Sequence, residues 1–297
     1  MSSFSAVDSA FSGFSLITKR PMLILAWSGL YLLAGALLAG LAFLLAGPSL
    51  MSLGSMGDDP DPAAVVAAFS GLGALLLLLF PALIIMSAVF LAAVYRSILR
   101  PEEKKFAYVA LGGDEWRLVL LGLAYFALYI LVVAIFAGVI FGASLVVGET
   151  MKGLMIFLAI LGGIVGFIFL GVRLSLSGVQ TFAEKRLNLF GSWRLTSGRF
   201  WPLLGMWVLA VIVAIGVSLL VAVVSYIPLL IGGGLGAVAQ TASPDFETMT
   251  VGVIIGMIFY LAIQLVGSVV QSVLMYAPAA SAYRQLVPDV STSDVFT

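Results

Sequence analysis

Cysteine and histidine are both absent from the 297 residues. Their absence excludes disulfides, thiolate nucleophiles, imidazole metal ligands and any Ser-His-Asp or Cys-His catalytic pair. Charge is scarce too: 9% of residues are Asp, Glu, Lys or Arg, where a soluble domain carries about 25%. Hydrophobic residues make up 62%, above the roughly 45–50% of water-soluble domains, so a single water-exposed globule is excluded. No polar stretch is long enough to fold as a separate catalytic domain. Nor does any ionisable residue fall in the middle of an apolar run. A proton relay through a buried carboxylate and a voltage sensor thereby lose their usual machinery.

What is present is a set of long apolar runs rich in glycine, a residue common in membrane helices. Six of them, at 22–46, 72–95, 118–145, 154–173, 203–231 and 251–276, approach or exceed the ~20 residues needed to cross ~30 Å of hydrocarbon. The pattern predicts an all-α polytopic membrane protein with six transmembrane helices, forming one integral membrane domain over 1–297. Net charge is zero but strongly sided. The odd-numbered loops hold Asp58, Asp59, Asp61, Glu149, Asp245 and Glu247, with Lys152 as their one cation. The termini and even-numbered loops hold the other thirteen basic residues against eight acidic ones. The positive-inside rule then places both termini in the cytoplasm. The first span is too long for the apolar core of a cleavable signal. No organelle-targeting signal is legible, which leans the reading towards a bacterial inner membrane.

Ahead of the first span, Phe4, Val7, Phe11 and Phe14 recur at helical spacing, with serines and Asp8 between them. The spacing predicts an amphipathic helix in the headgroup layer, leading into Lys19-Arg20-Pro21. Comparable segments precede the third span (Lys104 to Arg117) and the fifth (Phe182 to Pro202). Together with the basic residue that ends each hairpin, they suggest three units of interfacial helix plus hairpin over 1–100, 101–178 and 179–290. Small-xxx-small pairs at Ala36/Gly40, Gly138/Gly142, Gly162/Gly166 and Gly252/Gly256 predict a tightly packed bundle. Pro81 and Pro278 are candidate kinks.

Candidate functional residues are few. Arg173 ends a long apolar run, and Arg96 and Arg284 close the second and sixth spans. Each is a possible lipid-headgroup ligand, since guanidinium pairs bidentately with phosphate oxygens; the competing reading is a snorkelling anchor. Gln264, Ser268 and Gln271 share one face of the sixth span, as a polar path or as hydrogen bonds between helices. Trp116, Trp193, Phe200 and Trp201 interleave with Arg117, Arg194 and Arg199. Beside membrane spans this reads as an interfacial belt drawn to anionic lipid, not as a nucleic-acid surface. The expected partners are membrane lipids; neither a metal nor a cofactor is implied.

The run Val172 to Trp201 (VRLSLSGVQTFAEKRLNLFGSWRLTSGRFW) resembles the membrane domain attached to some glycerophosphodiester phosphodiesterases. That domain also occurs alone and is loosely similar to the YciC-type inner-membrane proteins. The likeness rests on Arg173, Glu184 and the stretch Ser192-Trp193-Arg194-Leu195-Thr196-Ser197-Gly198-Arg199-Phe200-Trp201. It departs at Gly178-Val179, where relatives commonly carry proline, and the phosphodiesterase barrel with its metal-binding residues is missing. The resemblance therefore implies an all-helical, lipid-associated inner-membrane domain without the enzyme's activity. The resulting expectation is a non-enzymatic, membrane-organising or lipid-associated protein. The alternative is a transporter, channel or lipid flippase.

Overall fold

The computed structural model describes residues 4–54, 62–103, 105–146, 148–232 and 251–287. Among them are ten α-helices and no strand: α1 (Ala6–Ala10), α2 (Ser12–Lys19), α3 (Pro21–Gly54), α4 (Pro62–Leu99), α5 (Gly113–Val146), α6 (Glu149–Leu174), α7 (Ser177–Glu184), α8 (Gly191–Leu195), α9 (Phe200–Ile231) and α10 (Val251–Leu286). Six of these, α3 to α6, α9 and α10, are long and apolar enough to cross a membrane. Their centres coincide with the six apolar runs, but the helices run further at their polar ends. α10 continues through Arg284 and α4 through Arg96, because an α-helix does not stop where hydrophobicity does. Pro81, Pro228 and Pro278 all lie inside continuous helices. Asp58, Asp59, Asp61, Asp245 and Glu247 lie outside the described residues.

The chain divides into two compact units, and α4, α9 and α10 contribute to both. One comprises Met1–Ala10, Ile84–Leu209 and Tyr276–Thr297. Its core gathers Tyr95, Leu176, Val179, Phe182, Leu203, Met206 and Tyr283, all buried, against an alanine face of α4 and α10. α7 lies within this core: Val179, Thr181 and Phe182 are completely buried. The expected interfacial segment ahead of the fifth span is thus partly an internal helix, since Val179 and Phe182, three residues apart, give α7 an apolar stripe that the core takes up. Ser5 N–H donates to Gln285 Oε1 (2.9 Å), and Gln285 Nε2 donates to Ser9 Oγ (3.1 Å), tying α1 to the end of α10.

The other unit comprises Phe11–Leu83 and Ala210–Met275. Here α2 and α10 meet backbone to backbone: a Cβ at Gly13 would lie 2.9 Å from Leu274 Cα. α9 and α10 meet equally closely, with a Cβ at Gly256 falling 2.7 Å from the Pro228 carbonyl oxygen.

Two expectations need correction. The N-terminal aromatic stripe does not lie on one helix, because the chain breaks at Phe11 between α1 and α2. The small residues Ser9, Ala10 and Gly13 are buried, leaving Val7, Phe11 and Phe14 exposed, as suits side chains facing lipid. Second, of the four small-residue motifs only Gly252/Gly256 sits at a close backbone approach. A Cβ at Gly40, Gly138, Gly142, Gly162 or Gly166 would meet nothing within 4 Å. A glycine pair permits close packing, but the larger residues around it decide whether a neighbour comes near.

The segment ahead of α5 also differs from the sequence reading. Residues 105–108 form a single turn in which Phe106, Ala107 and Tyr108 all take positive φ (48°, 55° and 65°). A left-handed turn of L-residues costs roughly 1–2 kcal/mol per residue, so it needs outside support. Tyr108 is buried and its hydroxyl donates to the Pro101 carbonyl (3.1 Å). Its own carbonyl accepts from Arg96 Nη1 (2.6 Å).

Candidate functional site

Arg173 stands in the last turn of α6, where the partial negative charge of a helix C-terminus favours a cation. Its backbone carbonyl, left without an intrahelical partner there, accepts from Ser192 Oγ (2.8 Å) and lies 3.4 Å from Thr196 Oγ1. Its guanidinium lies over the rings of Phe169 (5.3 Å) and Trp193 (5.4 Å). Phe169 packs in turn on Phe200 (ring centroids 5.6 Å), which meets Trp201 edge-on. Gly198 (φ +74°) makes the turn from α8 into α9 in a conformation that suits glycine. Ser192, Trp193, Thr196, Gly198 and Phe200 of the S-W-x-L-T-x-G-x-F stretch therefore build one structure around the end of α6.

That structure holds the charge but leaves it unsatisfied. Nε and Nη1 of Arg173 are buried and have no hydrogen-bond partner among the described residues. An unmatched donor on a charged group costs upwards of about 1–3 kcal/mol. The two rings recover part of this through cation–π attraction. Neither ring supplies an acceptor in the plane of the guanidinium, so the arrangement suits an anion that does.

The other two candidate arginines are placed differently. Arg96 is enclosed by protein: besides Tyr108, its Nη2 meets Glu115 Oε1 at 2.6 Å and its Nε meets Glu103 Oε2 at 3.3 Å. Its side chain and that of Glu115 are 7% and 4% exposed, making this a buried ion pair. Beside it, Arg100 pairs with Asp114 (3.1 Å), which also holds Arg117 (2.6 Å). Both Arg96 and Arg100 lie over the Phe182 ring, at 5.5 and 4.7 Å. Charge thus clamps α4, α5 and α7 together. Arg284 is exposed at the end of α10.

Sequence reasoning missed Glu115, Asp114 and Phe182 as partners. The acidic pair at the start of α5 is a legible helix-start signal, but nothing in the sequence couples it to Arg96 and Arg100. Tyr125, a polar residue of the third span, hydrogen-bonds beyond its own helix: its hydroxyl contacts Ser177 Oγ and donates to the Leu189 carbonyl (3.0 Å).

Of the three polar residues grouped on the sixth span, Gln264 reaches across to Ser225 Oγ on α9 (3.2 Å) and to Tyr260 on its own helix (3.4 Å). Ser268 returns its hydroxyl to the Leu265 carbonyl. Gln271 is half-buried. Along α5 and α6 a cavity of about 320 Å³ is lined by Leu128, Val132, Phe167, Leu170 and Leu174, with Tyr129 and Ser175 among the few polar-bearing residues. A second, of about 270 Å³, lies where Val139, Ile140, Met155 and Ile156 face each other, with Lys152 as the one charged residue in its otherwise apolar wall. Walls of this composition suit hydrocarbon better than a hydrated solute.

Six membrane-length apolar helices define an integral, multi-pass membrane protein. No family model, no curated protein and no solved structure matches the chain.

Proposed function

We propose that this chain is a non-enzymatic, lipid-associated protein of a bacterial inner membrane, with both termini cytoplasmic, that captures an anionic headgroup at Arg173. The observation that carries this reading is the half-buried Arg173 guanidinium, two of whose nitrogens are buried and unmatched, held over Phe169 and Trp193. A phosphate diester offers in-plane acceptors to such a group. Arg96, occupied by Glu115, Glu103 and Tyr108, is assigned to holding the fold, and Arg284 to anchoring at the interface. Kinship with the phosphodiesterase-linked membrane domains is part of the proposal. It is supported by the way the resembling residues Ser192, Trp193, Thr196 and Phe200 converge on Arg173 and Phe169.

The test is native mass spectrometry of protein released from nanodiscs of mixed phosphatidylglycerol and phosphatidylethanolamine, comparing wild type with Arg173→Ala. Losing two charge-assisted hydrogen bonds should lower retention of the anionic lipid by about ten-fold or more. Equal retention by both proteins would return Arg173 to an anchoring role.

A further inference from the structure

We infer that the ligand at Arg173 is a diacyl glycerophospholipid, recognised through an ester carbonyl as well as through its phosphate; this rests on the headgroup reading above. The additional observation is Trp207. Its indole Nε1 is buried and, like Arg173 Nε and Nη1, has no hydrogen-bond partner among the described residues. Guanidinium and indole nitrogens can only donate, so both positions ask for acceptors.

The two lie along one seam. Phe169 and Phe200 touch, which brings α6 against α9 beside Arg173. Trp207 is seven residues beyond Phe200, two turns along the same face of α9 and roughly 10 Å further along its axis. Going back along α6 from Phe169, Gly166 and Gly162 occupy the face that carries Phe169 and Arg173. A Cβ at either glycine would meet nothing within 4 Å, so this face of α6 is open and carries no side chain at two successive turns. From the end of α6 inwards the chain therefore presents a cation, then a neutral donor, with an open apolar face of α6 alongside. A glycerophospholipid presents a phosphate, then ester carbonyls, then hydrocarbon. Inorganic phosphate matches only the first of these.

The experiment compares retention of chain-matched diester and diether phosphatidylglycerol on wild type, Trp207→Phe and Arg173→Ala released from nanodiscs, with and without added inorganic phosphate. Ether lipids keep the phosphate and the chains but lack the carbonyl acceptor. Wild type should retain the diester about three- to ten-fold better than the diether, the value of one buried hydrogen bond. Trp207→Phe should level the two, and Arg173→Ala should lose both. Equal retention of diester and diether by wild type would overturn the ester contact, while the loss on Arg173→Ala alone would keep the headgroup reading. Displacement of lipid by inorganic phosphate at lipid-like affinity would overturn the lipid assignment. Should Trp207→Phe fail to fold, the diester-to-diether comparison on wild type still decides the matter.

Discussion

Removing Glu115 is the most informative perturbation of the fold. Its carboxylate and the Arg96 guanidinium sit 2.6 Å apart with side chains 4% and 7% exposed, so neither charge is hydrated. Breaking a buried pair from one side typically costs about 3–5 kcal/mol, because the remaining charge is stranded. Arg96 would keep the Tyr108 carbonyl (2.6 Å) and Glu103 (3.3 Å), which puts Glu115→Ala near the lower end, at about 3 kcal/mol. Glu103 is 49% exposed, and Glu103→Ala should cost about 1 kcal/mol or less. Replacing both members of the buried pair, Arg96→Met with Glu115→Met, removes the stranded charge. The double variant should therefore cost less than the two single changes summed, by at least about 1 kcal/mol. Reversible unfolding in mixed micelles, titrated with dodecyl sulfate and followed by tryptophan fluorescence, measures each of these variants. Equal losses for Glu115→Ala and Glu103→Ala, or strict additivity in the double variant, would refute the claim that the pair is buried and acts as a unit.

Other substitutions test separate parts of the structure. Gly13→Ala and Gly256→Ala place a methyl 2.9 and 2.7 Å from neighbouring backbone, and each should cost about 1–3 kcal/mol in the same unfolding titration. Gly138→Ala, with nothing within 4 Å, should be neutral or stabilising by up to about 1 kcal/mol; a loss comparable to the other two would show that α5 is packed there. Lys185 ends α7 at φ 51°, so Lys185→Gly should stabilise by about 0.5–1 kcal/mol, and a destabilised variant would contradict the left-handed cap. The natural lack of cysteine makes orientation simple to test: a membrane-impermeant maleimide on intact cells should label Ser55→Cys and spare Arg194→Cys. The reverse pattern would invert the topology.

The membrane class and the number of spans were legible because they depend on composition and run length, which need no knowledge of neighbours. Helix ends were less legible. Arg96 marks the edge of hydrophobicity, yet α4 continues to Leu99, since backbone hydrogen bonding continues once the side chains turn polar. Packing was least legible. Gly138/Gly142 and Gly252/Gly256 have the same spacing, yet one pair faces open space and the other faces the carbonyl-bearing backbone of α9. The N-terminal segment makes the same point in reverse: its aromatic stripe is the obvious feature, while unremarkable Ser9, Ala10 and Gly13 form the contact.

The three arginines show why the site itself resisted reading. Arg96, Arg173 and Arg284 each end an apolar run; Leu174 and Leu176 beyond Arg173 set it a little deeper than the other two, but that alone does not separate a ligand site from an anchor. Their difference lies in what distant segments bring. Glu115 and Tyr108 neutralise Arg96 from across a loop, whereas Ser192 and Thr196 hold the Arg173 backbone and Trp193 covers its charge without accepting a proton. A satisfied guanidinium stabilises the fold and has no capacity left for a ligand. One enclosed by aromatic rings carries a standing electrostatic cost that an anion relieves best, since it supplies both acceptors and countercharge. If so, Arg173→Met, which removes the buried charge but keeps its apolar length, should leave unfolding stability unchanged or raised while abolishing headgroup retention. Arg96→Met should instead destabilise the protein by about 3 kcal/mol, because it strands Glu115. A protein in which Arg173→Met was as damaging to stability as Arg96→Met would have its guanidinium serving the fold, and the assignment of a ligand to it would fail.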